Sequence, residues 1–203
     1  MKFNKLIISL VLLGVSSGQL LYAQTPAASL NFDDFAPVKG SEKSWETVAD
    51  VNFSNATAGK AKKVSGNGII MYNGNMQAGA LVTKQTFGDT EVEFDFAVDK
   101  GATFGVLLQG RYRVNLSDSW NVVKPSATNM GGIGPFKKDA GAFSGLVPLV
   151  NVAKAPGLWQ HVRIRFRSPQ FNGNTKTASA LFEDVYINDE ELFLQHIYNK
   201  NLN

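Results

Sequence analysis

The stretch Thr103–Trp120, TFGVLLQGRYRVNLSDSW, interleaves Gln109, Arg111, Arg113, Asn115 and Asp118 with Phe104, Val106, Leu107, Leu108, Tyr112, Val114 and Leu116. Amide, guanidinium and carboxylate groups on one sheet face are suited to gripping a sugar, and Trp120 offers a flat indole that can stack on a sugar ring. Asp118 is the acid/base candidate of the stretch. Each has a plainer reading. The polar row is then an ordinary solvated face, Asp118 a turn residue bonding its own backbone, and Trp120 part of the core.

Side chains can converge in this way only if the stretch is extended, because successive residues of a strand point to opposite faces. Gln109-Gly110 marks a tight turn between two short strands. With a two-residue turn, Leu108 and Arg111 share a face and Val106 lies beside the arginines; the sequence leaves that register open. The same period of two recurs in Thr90–Val98, where Val92, Phe94, Phe96 and Val98 alternate with Glu91, Glu93, Asp95 and Ala97. In Trp159–Ser168, Val162, Ile164 and Phe166 alternate with His161, Arg163, Arg165 and Arg167. Further strands are expected at 68–72, 80–83, 180–188 and 192–198, and 121–157 reads as one long loop rich in glycine and proline. No segment keeps a helical period with caps. Short strands and glycine turns give an all-β class, a β-sandwich or jelly roll. The His161–Arg167 row reads as the solvated outside of that sandwich, with Glu91, Glu93 and Asp95 pairing with it across strands at about 0.2–1 kcal/mol per pair.

The start of the chain reads as an export leader, with Lys2 and Lys5 ahead of an apolar run from Leu6 to Val15 and a cut expected after Ala23. Residues 1–23 are then the leader, 24–44 a linker and 45–203 one domain, destined for the periplasm or the outside of the cell. After removal of the leader no apolar run long enough to span a membrane is left. The 203 residues include no cysteine, so disulfides cannot contribute and the fold rests on its core. The net charge of +3 comes largely from the leader lysines, and there is no basic tract for nucleic acid. Two histidines far apart in the chain make no transition-metal site, and Asp33-Asp34 resembles no calcium loop.

Four blocks resemble the 3-keto-disaccharide hydrolase domain family of secreted bacterial proteins: LVTKQTFGDTEVEFDF (Leu81–Phe96), GVLLQGRYRVNLSDSW (Gly105–Trp120), GGIGP (Gly131–Pro135) and the long block Pro148–Asn188. They occur in the family's order and spacing. The resemblance implies a concanavalin-like jelly-roll sandwich of two antiparallel sheets with sugar on the concave face, no cofactor, and glycosides oxidised at carbon 3 as substrates. A ketone at carbon 3 acidifies the hydrogen on carbon 2. A base removes it, donors hold the enolate, an acid helps the group on carbon 1 to leave, and water then adds. Each positioned acid or base contributes ~10²–10⁴ in rate. On this resemblance Asp118 is the remaining catalytic candidate. Gln109, Arg111, Arg113, Asn115, Trp120 and Lys84 would bind substrate, Lys84 by holding an enolate or sugar oxygen.

Departures from the family pattern cut against turnover. Its acidic position in the G-R-Y-E-V-Q block is Arg113, which cannot serve as a base, and its glutamine is Asn115. Its P-G-E-W is Pro156-Gly157-Leu158-Trp159, and its N-G turn is Asn188-Asp189. The chain ends before the family's closing strands, as in a fragment, a degenerate copy or one part of an assembly. A carbohydrate-binding module that has lost its chemistry is therefore the alternative to a hydrolase. An assembly role is a third, and the oligomeric state is open.

Overall fold

The computed structural model describes residues 29–53, 61–73, 79–134, 136–138, 141–143, 145–193 and 197–198. The expected export leader lies outside the described residues. Among them, helix is confined to two 3-10 turns, Phe32–Asp34 and Glu42–Ser44. The strands are β1 (Phe35–Pro37), β2 (Trp45–Asn52), β3 (Lys62–Tyr72), β4 (Leu81–Thr83), β5 (Thr90–Phe96), β6 (Gly105–Leu108), β7 (Tyr112–Asn115), β8 (Phe136–Lys138), β9 (Gly141–Phe143), β10 (Gln160–Arg167), β11 (Gln170–Asn172), β12 (Thr175–Ala178), β13 (Leu181–Ile187), β14 (Glu190–Glu191) and β15 (Ile197–Tyr198). Every pairing is antiparallel. The chain is an all-β sandwich, as its alternating pattern requires.

One layer is a five-stranded sheet in the order β14-β13-β10-β5, with β15 beside β14 on the outer edge of β13. Its inner face buries Phe94 and Phe96 of β5, Val162, Ile164 and Phe166 of β10, and Phe182, Val185 and Ile187 of β13. The alternation expected through 180–188 breaks at a bulge: Arg165 faces Asp184 but Phe166 faces Phe182. That extra residue lets Phe182 and Val185 both reach the core. The opposing layer is the β6–β7 hairpin, extended by bridges from Val114 to Ile133 and from Ile133 to Leu146. Leu108, Tyr112, Val114, Leu116, Met130 and Ile133 close the core from this side, with the Tyr112 and Phe166 rings 5.2 Å apart.

The long loop expected over 121–157 is thus partly structural, since Met130 and Ile133 are wholly buried. It also contains the β8–β9 hairpin, and its glycines explain how the strandless part ahead of β8 packs so closely. A Cβ on Gly132 would sit 2.2 Å from the Ala127 carbonyl oxygen, and Gly131 and Gly134 have φ of +78° and +79°. Two further segments bear on the sequence pattern. Residues 56–68 suit a loop or a twisted edge by composition, and from Lys62 on they form the exposed half of β3 paired with β2. Phe35–Pro37, within the 24–44 segment, pairs with Leu81–Thr83 and so is hydrogen-bonded to the domain.

Ile164 sits at the centre of the five-stranded sheet with no exposed surface. Ile164→Ala should cost about 2–5 kcal/mol of stability by cavity formation. Urea unfolding checks this, and an unchanged midpoint would contradict the assigned core.

Candidate functional site

The hairpin carrying most of the expected site residues settles the open register. Leu108 pairs with Tyr112 and Leu107 with Arg113, so three residues connect the strands. Gln109 (φ +49°) and Gly110 (φ +64°) take left-handed conformations, and the Arg111 N–H donates to the Leu108 carbonyl at 3.0 Å. Val106, Leu108, Tyr112 and Val114 therefore share the inner face, while Leu107 and Arg113 share the outer one. Gln109 and Arg111 are exposed in the connection itself.

The other expected residues are engaged by the protein. Asn115 is buried, and its Nδ2 donates to the carbonyls of Ala127 (2.8 Å), Gly132 (3.2 Å) and Gly134. Its Oδ1 accepts from Arg113 Nε at 2.7 Å. Arg113 in turn lies across Gly105, where an added Cβ would come within 2.9 Å of Nε. Both Asp118 oxygens accept backbone N–H groups, Oδ2 from Gly101 at 2.8 Å and Oδ1 from Trp120 at 3.1 Å. The Trp120 bond is the turn geometry of the plainer reading, while the Gly101 bond reaches a distant turn. Lys84 Nζ donates to the Asp33 carbonyl at 2.7 Å. Trp120 presents an open aromatic surface, 49% exposed. The structure brings Arg113 and Asn115 together, and links Asp118 to Trp120 through the chain. It does not gather all seven residues into one concavity.

A second polar constellation lies on the outer face of the five-stranded sheet. Register places Glu93, Arg163, Tyr186 and Glu191 in one rung across β5, β10, β13 and β14, with Asp95 beside His161 in the next. Glu93, His161, Arg163, Tyr186 and Asp189 line a cleft of 270 Å³. His161 bridges two carboxylates, Nδ1 lying 2.8 Å from Asp95 and Nε2 3.1 Å from Glu93. A neutral imidazole donates to only one of them; the protonated ring satisfies both. The Arg163 guanidinium sits 4.4 Å above the Tyr186 ring, a cation–π contact. Tyr186 Oη donates to Glu191 at 3.2 Å. Desolvation first, then that bond to Glu191, push the phenol above its ordinary range, so it stays a protonated donor at neutral pH.

Glu93 and Asp95, expected to pair with the arginines of β10, pair with His161, whereas two of the arginines turn to β13. Arg165 pairs with Asp184, which raises the guanidinium's affinity for its proton, and Arg167 pairs with Glu183. The row was legible as a charged face. That it forms a cleft depends on Tyr186 and Asp189, which the β5–β10 pattern does not include. Among the described residues no group of three His, Asp or Glu side chains is arranged to hold a metal ion.

The sequence profile of the 3-keto-alpha-glucoside-1,2-lyase-like domain matches residues 34–199. The chain belongs to this family. The 3-keto-alpha-glucoside-1,2-lyase-like domain therefore takes in all the described strands, from β1 to β15. Among solved structures, the chain is similar to a candidate glycosyl hydrolase from Parabacteroides distasonis, at 19% identity and a TM-score of 0.48 over 79% of this chain. It spans 64% of that protein's length. No curated protein sequence matches the chain.

Asn115 is a structural clamp in this lyase-like domain, so Asn115→Leu should strand buried carbonyls and cost at least the roughly 1–3 kcal/mol of one unsatisfied group. Thermal unfolding reads this directly. Wild-type stability with loss only of sugar binding would instead make Asn115 a ligand-facing residue.

Proposed function

We propose that this member of the lyase-like family is exported and takes glycosides oxidised at carbon 3, holding them without cleaving them at the β6–β7 hairpin. The observation that carries the binding reading is the engagement of Asp118. The elimination expected from the family resemblance needs a carboxylate ready to take the proton from carbon 2. Both oxygens of Asp118 instead hold the backbone of Gly101 and Trp120. At the family's acidic position stands Arg113, committed to Asn115. What this surface still offers a sugar is the open indole of Trp120, the exposed Gln109 and Arg111, and the guanidinium edge of Arg113.

Cleavage is the second reading. It is favoured by the partial exposure of Asp118 beside Trp120, which leaves its remaining lone pairs within reach of a substrate. A 3-keto-glucoside bearing a chromogenic aglycone separates the two. The binding reading expects calorimetric binding with no aglycone release above that of Asp118→Asn, and about a tenfold loss of affinity (~1.4 kcal/mol) in Trp120→Ala. Release that Asp118→Asn abolishes would establish cleavage. Export is checked by N-terminal sequencing of the secreted product, expected to begin at Gln24.

A further inference from the structure

Three features of the outer-face cleft set it apart from a solvated charged surface. The first is the state of Arg163. Its neighbours on β10, Arg165 and Arg167, each pair with a carboxylate of β13. Arg163 has Glu93 as its register partner on β5, yet Glu93 turns to His161 Nε2. Among the described residues Arg163 makes no ion pair; its guanidinium carbon lies 4.4 Å from the centre of the Tyr186 ring, and the residue lines the cleft.

The second is Asp189. With Asn188 it forms the connection from β13 to β14, at φ of +53° and +69°. Asn188 is accounted for structurally, since its Oδ1 accepts from the His161 N–H and its Nδ2 donates to the Val152 carbonyl. Asp189 makes no hydrogen bond among the described residues. It keeps a backbone conformation that glycine adopts freely, and the residue lines the same cleft as Arg163. The third is the mix of groups: acceptors on Glu93 and Asp189, donors on Arg163, and the Tyr186 phenol oxygen, which can still accept while its proton goes to Glu191.

We infer that this cleft is a binding site for one pyranose ring, with a vicinal diol bridging the Arg163 guanidinium and the Asp189 carboxylate. A hydroxyl both donates and accepts, so a diol can satisfy a guanidinium donor and a carboxylate acceptor that belong to residues lining one cleft. The volume agrees. Pockets for drug-sized molecules run from about 300 to 1,000 Å³, and 270 Å³ suits a single ring better than a chain. The choice of a sugar rests on the carbohydrate reading above, but the site does not coincide with the hairpin. The hydrophobic core lies between the inner face of the β5–β10–β13 sheet and the inner face of β6–β7, so the two surfaces look away from each other. A saccharide held at both would be bound bivalently.

The test is amide chemical-shift mapping of the isotope-labelled chain, titrated with methyl α-glucoside and with its 3-keto derivative. Shifts at 161–163 and 186–189 are expected. Asp189→Gly should weaken them about tenfold while leaving thermal stability unchanged or higher, because glycine relieves the left-handed backbone. Arg163→Gln should weaken them similarly, and Trp120→Ala should not. Shifts confined to the hairpin would overturn the cleft site and leave the binding reading standing. Shifts confined to the cleft would support it and remove the hairpin from sugar binding. Cleft affinity unchanged in Asp189→Gly, or no shift with either probe, would also overturn it, the latter together with the carbohydrate reading.

Discussion

The second layer of the sandwich hangs on the buried amide of Asn115. Its two N–H groups are shared among three carbonyls of the 127–134 segment, and its oxygen takes the Arg113 guanidinium. A strandless, glycine-rich segment has few backbone partners of its own, and buried carbonyls left unpaired are costly. The amide supplies partners from β7, reinforced by the Asn115 N–H to the Gly132 carbonyl and the Gly131 N–H to the Asn115 carbonyl. With that segment held down, Met130 and Ile133 reach the core and complete the surface against which β10 and β13 pack.

The same clamp decides what the hairpin can do chemically. A polar side chain at this point of β7 can face a ligand or tie down the chain, and Asn115 does the second. Arg113 follows, because its Nε bonds Asn115 while its side chain crosses Gly105. Asp118 is bound by a comparable constraint, fastening the 99–102 turn to the start of the Trp120 loop. Architecture and chemistry thus compete for the same few polar groups, and here architecture takes most of them. The opposite sheet is under no such demand. Its packing is satisfied by Val162, Ile164 and Phe166, so the outward residues of β10 are left to form a charged surface with a cleft.

Charge on that surface is sorted by the bulge in β13. The offset between Arg165 and Phe166 brings Asp184 opposite Arg165 and leaves Glu183 for Arg167. One Asp184 oxygen is buried without a hydrogen-bond partner among the described residues, a strain on this rung that the Arg165 pairing offsets. Beyond the bulge the rungs run regularly, and there Arg163 meets Tyr186 instead of a carboxylate.

The sequence by itself determined the all-β class, the strands β5 and β10 with their inward and outward residues, the place of β13 but not its bulge, and the family through its ordered blocks. Each of these follows from local alternation or from residue order, and neither requires knowing what lies across a gap. It did not determine the register of the hairpin, which turned on whether two or three residues connect the strands. Nor did it show that Asn115 and Asp118 are consumed by backbone groups, because their partners at 101 and 127–134 are brought near only by folding. The cleft is the clearest case. Glu93, Arg163, Tyr186 and Asp189 come from three strands and a turn, and side chains so far apart in the chain become one site only when tertiary pairing sets them in register.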